Sequence, residues 1–142
     1  MTTWTWETLT STDTAALKEL MRTGETPDPA AIEGRTYEGL NRGLVPKITG
    51  ERFKKVFHEG EPIGHNVVER GGKPTELGWF RIGVRGRTML FDYDEPRNRG
   101  LHLPLRALKD DVVLPNPGDH DLLLGKARWL GLHVAYFVLR YP

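Results

Sequence analysis

Hydrophobic and polar positions along the chain follow two periods. In STDTAALKELMRTGETPDP (11–29), Ala16, Leu17, Leu20 and Met21 recur at helical spacing. Ser11, Thr12 or Asp13 is placed to cap the start, Gly24 suits the position just past the end, and Pro27 and Pro29 prevent continuation. This predicts one helix, serving as a lid or plug, followed by an extended lead-in, PDPAAIEG. Beyond it the period becomes two. GRTYEGLNRG places Arg35, Tyr37, Gly39 and Asn41 on one side and Thr36, Glu38 and Leu40 on the other. ERFKKVFHEGEPIGHNVVERGGKP reads as strand, turn, strand and Gly-Gly turn. Its first part also permits a short helix capped by Thr49, because Phe53 and Phe57 lie four residues apart.

LGWFRIGVRGRTMLFDYDEP gives two strands joined at Arg85–Gly86–Arg87. LHLPLRALKD allows a helical turn starting at Pro104. From Asp111 onward come a short strand, a Pro/Asn/Gly turn and two strands split near Gly131. About eight strands with short links predict an all-β fold, a small closed antiparallel meander barrel with one N-terminal helix. Residues 1–33 form the helical segment and lead-in, and residues 34–142 form the barrel of one domain. Closure removes exposed strand edges, and an interior of this size holds side chains or one small ligand.

Composition narrows the functional classes. The chain has 142 residues, 38% hydrophobic and 27% charged, with a net charge of +1, so it has no large field to attract nucleic acid or an anionic membrane. It has no cysteine, which excludes disulfides, thiolate catalysis and zinc–thiolate sites. Ser11 is the only serine and lies in the helix-cap region, which argues against a Ser-His-Asp hydrolase. The start, MTTWTWETLT, lacks a basic and then apolar leader, and no apolar run approaches the roughly 20 residues of a membrane span. The expectation is a cytoplasmic protein without nucleic-acid partner, membrane insertion, metal or cofactor. The sequence leaves the oligomeric state open.

Candidate chemistry falls on the strands. In FDYDEP (91–96), either Asp92 or Tyr93 enters the interior as a hydrogen-bonding anchor or acid/base, or Asp92 is a carboxylate capping backbone N–H groups in the turn before Pro96. Asp94 reads as turn chemistry. His65 and Asn66 lie in mid-strand on opposite faces, so a polar group enters the interior either way; a buried His65 is a general base or a satisfied structural histidine. Phe80, Ile82 and Val84 make the cleaner apolar face of their strand, which turns Trp79 and Arg81 outward; in the reverse setting Arg81 would meet a ligand carboxylate as a bidentate fork. Lys126 shares a face with Leu122 and Leu124 and is either a desolvated amine or a solvated lysine. DHD (119–121) has metal-capable side chains, but neighbours in sequence rarely converge on one ion, and Asn116–Asp119 reads as a turn. LLLGKA lacks the glycine spacing and hydroxyl of a phosphate loop.

Two short motifs resemble those of the lipocalins and their calycin relatives. IEGRTYEGL (32–40) is similar to the Gly-x-Trp-Tyr/Phe motif at the start of the first barrel strand, with Gly34 and Tyr37 matching and Thr36 at the tryptophan position. FDYD (91–94) is similar to Thr-Asp-Tyr, with Asp92 and Tyr93 matching and Phe91 differing. Arg128 or Arg140 stands where the family has an arginine near the barrel's end. The resemblance implies a calycin-like barrel with a cavity for a hydrophobic small molecule.

Three functions are therefore open. One is binding of a small hydrophobic or amphipathic molecule, with Tyr37, Asn41, Trp79, Phe91, Tyr93, Lys126 and Phe137 as ligand-binding candidates. The alternative is a cofactor-independent cyclase, isomerase or dehydratase with His65, Asp92, Tyr37 and Arg81 as catalytic candidates. A filled barrel acting as an interaction protein is the third.

Overall fold

A computed structural model describes residues 3–43 and 52–142. Eight antiparallel strands form a closed barrel in chain order: β1 (Thr36–Gly43), β2 (Arg52–Phe57), β3 (Ile63–Arg70), β4 (Lys73–Arg85), β5 (Thr88–Asp92), β6 (Leu108–Val113), β7 (Leu122–Trp129) and β8 (Leu132–Arg140). β8 pairs back onto β1 from Glu38↔Arg140 to Gly43↔Ala135, so the sheet has no free edge. The segment containing Phe53 and Phe57 is a strand; the Thr49 cap of the helical alternative lies outside the described residues.

Alternation sorts each strand into an inner and an outer face. Phe53, Lys55 and Phe57 of β2 point inward, as do Met89 and Phe91 of β5 and Leu108, Asp110 and Val112 of β6. β4 carries a bulge opposite His65, where the register shifts between Gly64 and Asn66. Gly78 in this bulge has φ +67°, and a Cβ there would meet Asn66 Nδ2 at 2.8 Å, so the position suits only glycine. Gly125 on β7 serves a different need: a Cβ there would strike the Phe137 ring, which lies across it from β8.

The N-terminal region differs from the single helix expected. α1 (Trp6–Ser11) precedes α2 (Thr14–Thr23), and the Thr5–Thr8 capping box that starts α1 is a threonine variant of the usual signature. Asp13 caps α2, accepting a hydrogen bond from Ala16 N at 2.8 Å. Neither helix is a lid. Leu9 and Leu17 pack against Val113, Leu122, Leu124, Tyr136 and Val138, on the outer wall of β6–β8. The apolar outer residues of these strands explain the placement, since they need a cover.

The plug is instead the segment expected to be an extended lead-in. Glu25 forms a two-way backbone bridge with Leu114 at 3.2 and 2.8 Å, and Thr26 Oγ1 donates to Arg87 O at 2.6 Å. α3 (Pro29–Ile32) then places fully buried Ile32 among Tyr37 and the interior aromatics. At the opposite end, a 3-10 helix spans Gly100–Ala107, longer than the turn expected at Pro104. Among the described residues, no helix is long and apolar enough to cross a membrane.

Candidate functional site

The barrel interior is filled at one end and hollow at the other. At the plugged end, Phe80 stacks on Phe91 and Phe57 packs against both, with ring centroids 4.7–5.8 Å apart, and Met89, Val112, Leu114, Leu123 and Leu139 complete the packing. The other end holds a cavity of about 510 Å³. Its walls include Phe53, Val68, Leu77, Leu105, Leu108, Ala127, Ala135 and Phe137, with Asn41 as a polar wall residue. It reaches the surface past Pro104 and Trp129, both exposed, and the two are tied by a Trp129 Nε1–H bond to Pro104 O at 2.9 Å. Leu101 and Leu103 on the 3-10 helix, Leu130 in the β7–β8 turn and Leu132 at the start of β8 stand exposed beside this mouth.

Four polar side chains lie at the boundary between the two ends. Lys55 from β2, Asn66 from β3, Tyr93 just after β5 and Asp110 from β6 all line the cavity. Lys55 Nζ donates to Asn66 Oδ1 at 2.7 Å and to Tyr93 OH at 2.8 Å, and lies 3.5 Å from Asp110 Oδ2. Tyr93 OH donates to Asp110 Oδ2 at 3.0 Å. Asn66 Nδ2 donates to Tyr93 OH at 3.1 Å and to Gly78 O at 3.2 Å, so the β4 bulge orients the amide. Every member is bonded to another, as a buried polar network requires.

Burial sets the electrostatics. The amine of Lys55 is only 2% exposed and lies 4.7–5.5 Å from the ring centroids of Phe53, Phe80, Phe91, Tyr93 and Phe137. Loss of water pulls its pKa down to about 8, against the opposing pull of the Asp110 carboxylate. Burial pushes the Asp110 carboxyl above its usual range although Lys55 and Tyr93 both favour its ionised form. Burial, then the Asp110 charge, raises the Tyr93 phenol well above its usual value. Burial thus loosens the amine's hold on its proton, and it does so beside the Tyr93 phenol at 2.8 Å and the Asp110 carboxyl at 3.5 Å.

Asn98, buried in the loop after β5, holds Tyr93 in place. Its Nδ2 donates to Tyr93 O and Trp79 O, each at 2.7 Å, and its Oδ1 accepts from Trp79 N at 2.9 Å. FDYDEP is thus two things. Tyr93 enters the site, whereas Asp92 forms the turn, accepting from Asp94 N at 2.9 Å and Lys109 Nζ at 3.1 Å. Burial alone would raise the Asp92 pKa; the Asp94 N–H, Lys109 and Arg81 outweigh it and hold the carboxyl below its usual value.

The remaining candidates divide by position. Asn41, Tyr93 and Phe137 line the cavity. Phe91 lies beneath it in the aromatic floor. Tyr37 is fully buried at the plugged end, where its OH donates to His120 O at 2.6 Å; burial pushes its pKa up to about 12 despite Arg35. Arg81 is turned outward and donates to Asp94 O at 2.9 Å. Trp79 and His65 stack outside the barrel with centroids 4.5 Å apart, and His65 Nδ1 shares a 2.9 Å hydrogen bond with His58 Nε2. Burial, the largest influence, lowers the His65 pKa, with Glu76 opposing. Lys126 faces outward on β7, paired with Tyr136 across the strand. His120 Nε2 accepts from Asp28 N at 2.9 Å and Asp121 pairs with Arg35 at 2.9 Å, so DHD is divided among separate partners. Among the described residues, no three His, Asp or Glu side chains group as a metal site. Arg140 binds Glu38 at 2.8 Å and covers the Trp6 ring at 4.4 Å, while Arg128 binds Asp111 at 2.8 Å on the outer wall.

Lys55 and Asp110 are not among the residues that the sequence singles out. Both carried a signal. Each is a lone charge at the centre of an alternating apolar face: Phe53–Lys55–Phe57 and Leu108–Asp110–Val112. No protein-family model matches the chain, and neither a curated protein nor a solved structure shows significant similarity to it.

Proposed function

We propose that the barrel binds a small amphipathic molecule whose apolar body fills the cavity and whose single polar head meets Lys55, Asn66, Tyr93 and Asp110. The observation behind this reading is the arrangement of the cavity: about 510 Å³ with largely apolar walls and one polar cluster at its base. That volume is in the range of small-molecule sites. Lys55 already has a counter-charge 3.5 Å away, so the cluster suits an uncharged hydrogen-bonding head better than a carboxylate. The motif resemblance to lipocalins agrees with such a role, and a cytoplasmic location is part of the same proposal.

A neutral solvatochromic dye, Nile red, tests it. Saturable fluorescence enhancement is expected, reversed by long-chain alcohols and aldehydes more strongly than by carboxylates of equal length. Ala135→Leu, which places extra carbons in the cavity, should abolish the enhancement. Absence of saturable binding in the unsubstituted protein would reject the reading.

A second reading is acid/base catalysis on the bound molecule, favoured by the continuous hydrogen-bonded path Lys55–Tyr93–Asp110. On that reading Tyr93→Phe lowers turnover by a factor on the order of 10²–10⁴ while leaving dye affinity nearly unchanged.

A further inference from the structure

Among the described residues, Lys55 is the only buried lysine, and it occupies the base of the cavity rather than a packed core. An ammonium there is a costly way to orient an uncharged head, because Asn66 and Tyr93 supply donors and acceptors without a charge. What the amine adds is nucleophilicity. A surface lysine is protonated and hydrated, and its imines are exposed to hydrolysis. The Lys55 side chain is 2% exposed, burial loosens its hold on its proton, and the Asp110 carboxylate stands 3.5 Å away.

We propose that Lys55 captures an aldehyde on an otherwise apolar molecule as an imine inside the barrel. The inference rests on the binding reading above and names the head group that the cluster selects. In the first step the Lys55 ammonium passes a proton to Asp110. The nitrogen lone pair then forms the C–N bond, and the carbonyl π pair moves to oxygen, which takes the proton back through Tyr93 OH and becomes a carbinolamine hydroxyl. The nitrogen, still cationic, next gives a second proton to Asp110, which passes it through Tyr93 OH to the hydroxyl; the C–O bond breaks, water leaves, and the freed nitrogen lone pair forms C=N. The sum is protonated amine plus aldehyde giving protonated imine plus water. No oxidant, reductant or co-reactant is needed. The charge on nitrogen is the same before and after, so Asp110 keeps its counter-ion. The groups facing the amine are Asn66 from β3, Tyr93 after β5 and Asp110 from β6, and only the last two titrate.

The test uses the full chain with decanal and cyanoborohydride at neutral pH, followed by intact mass and peptide mapping. The expected result is one adduct, the aldehyde mass less one oxygen, on Lys55, formed at least about tenfold faster than on any other lysine. Decan-1-ol, which fits the same cavity but cannot form an imine, should displace Nile red and suppress labelling. Lys55→Arg should lose the single fast adduct and show only the slow labelling of the other lysines. If decan-1-ol displaces the dye but decanal leaves no adduct on Lys55, or labels all lysines alike, imine capture is overturned while the binding reading stands. If neither compound displaces the dye and no adduct forms at Lys55, both are overturned. The wild-type labelling decides the question even if Lys55→Arg fails to fold.

Discussion

The two ends of the barrel interior draw on the same strands and the same alternation, but solve opposite problems. At the plugged end each inward residue has a partner. Phe91 stacks on Phe80, Ile32 enters from α3, and the polar tip of Tyr37 is satisfied by a backbone carbonyl. At the hollow end, small residues such as Ala127 and Ala135 face a cavity, and the polar groups bond among themselves. Tyr37 and Tyr93 make the contrast concrete. Both are buried tyrosines with raised pKa values, yet the first closes a wall and the second belongs to a cluster that lines open space. A perturbed tyrosine therefore does not mark a site by itself; its access to a cavity does.

Truncation should separate the ends most sharply. Phe91→Ala removes a fully buried ring from a packed floor and should cost about 3–5 kcal/mol in urea unfolding. Val68→Ala at the hollow end, where no packed neighbour is lost on the cavity side, should cost below about 1 kcal/mol. Equal losses would mean that the cavity is not open space.

The polar boundary comes next. Asp110→Asn strands the Lys55 charge and should destabilise by about 3 kcal/mol, whereas Lys55→Met combined with Asp110→Asn should recover most of that loss. A double variant as unstable as the single would show that the pair is not coupled. The titration of Lys55 adds a sign. Its folded pKa, about 8, is below the ordinary 10.5, so between these values the unfolded chain holds more protons and stability rises with pH. Above about pH 10 the raised tyrosines act the other way, since the folded state then holds more protons. Lys55→Met should lack the gain between pH 8 and 10 seen in the unsubstituted protein by denaturant titration.

Smaller effects test the mouth. Ala135→Leu should raise stability by about 1 kcal/mol while removing dye binding, a trade expected only where empty volume is functional. Leu130 in the β7–β8 turn has φ +52°, an unfavourable conformation for a leucine, and is exposed. Leu130→Asn should stabilise by about 0.5–1 kcal/mol, read as a shift in the urea midpoint.

Strand periodicity made the barrel legible, because eight short alternating runs with Gly or Pro between them leave few alternatives. It also placed Tyr37 and Asn41 together on one face of β1, and the structure puts both inside. The cover was illegible for a physical reason. α2 is amphipathic against either an opening or a wall, and only the apolar outer faces of β6–β8 decide between them. The site was half legible. Tyr93 and Phe137 follow from aromatic placement, but Lys55 and Asp110 compensate each other across strands whose pairing the sequence does not display. Each looks like a surface charge until its partner is known. Asn66 was visible as an inward option and became a site residue through the bulge at Gly78.

The seam between β1 and β8 has a kinetic consequence. Glu38 and Arg140, bonded across it, are 102 positions apart, so closing the barrel carries the largest loop entropy of any strand pairing here. Asn41 lies on one side of that seam and Ala135 and Phe137 on the other. A nascent chain that has not yet released β8 can form hairpins but has no chamber. A ligand of the kind proposed would therefore be captured only once the last strand is in place; added to a refolding mixture, it should accelerate nothing before seam closure and should slow unfolding once the seam is shut.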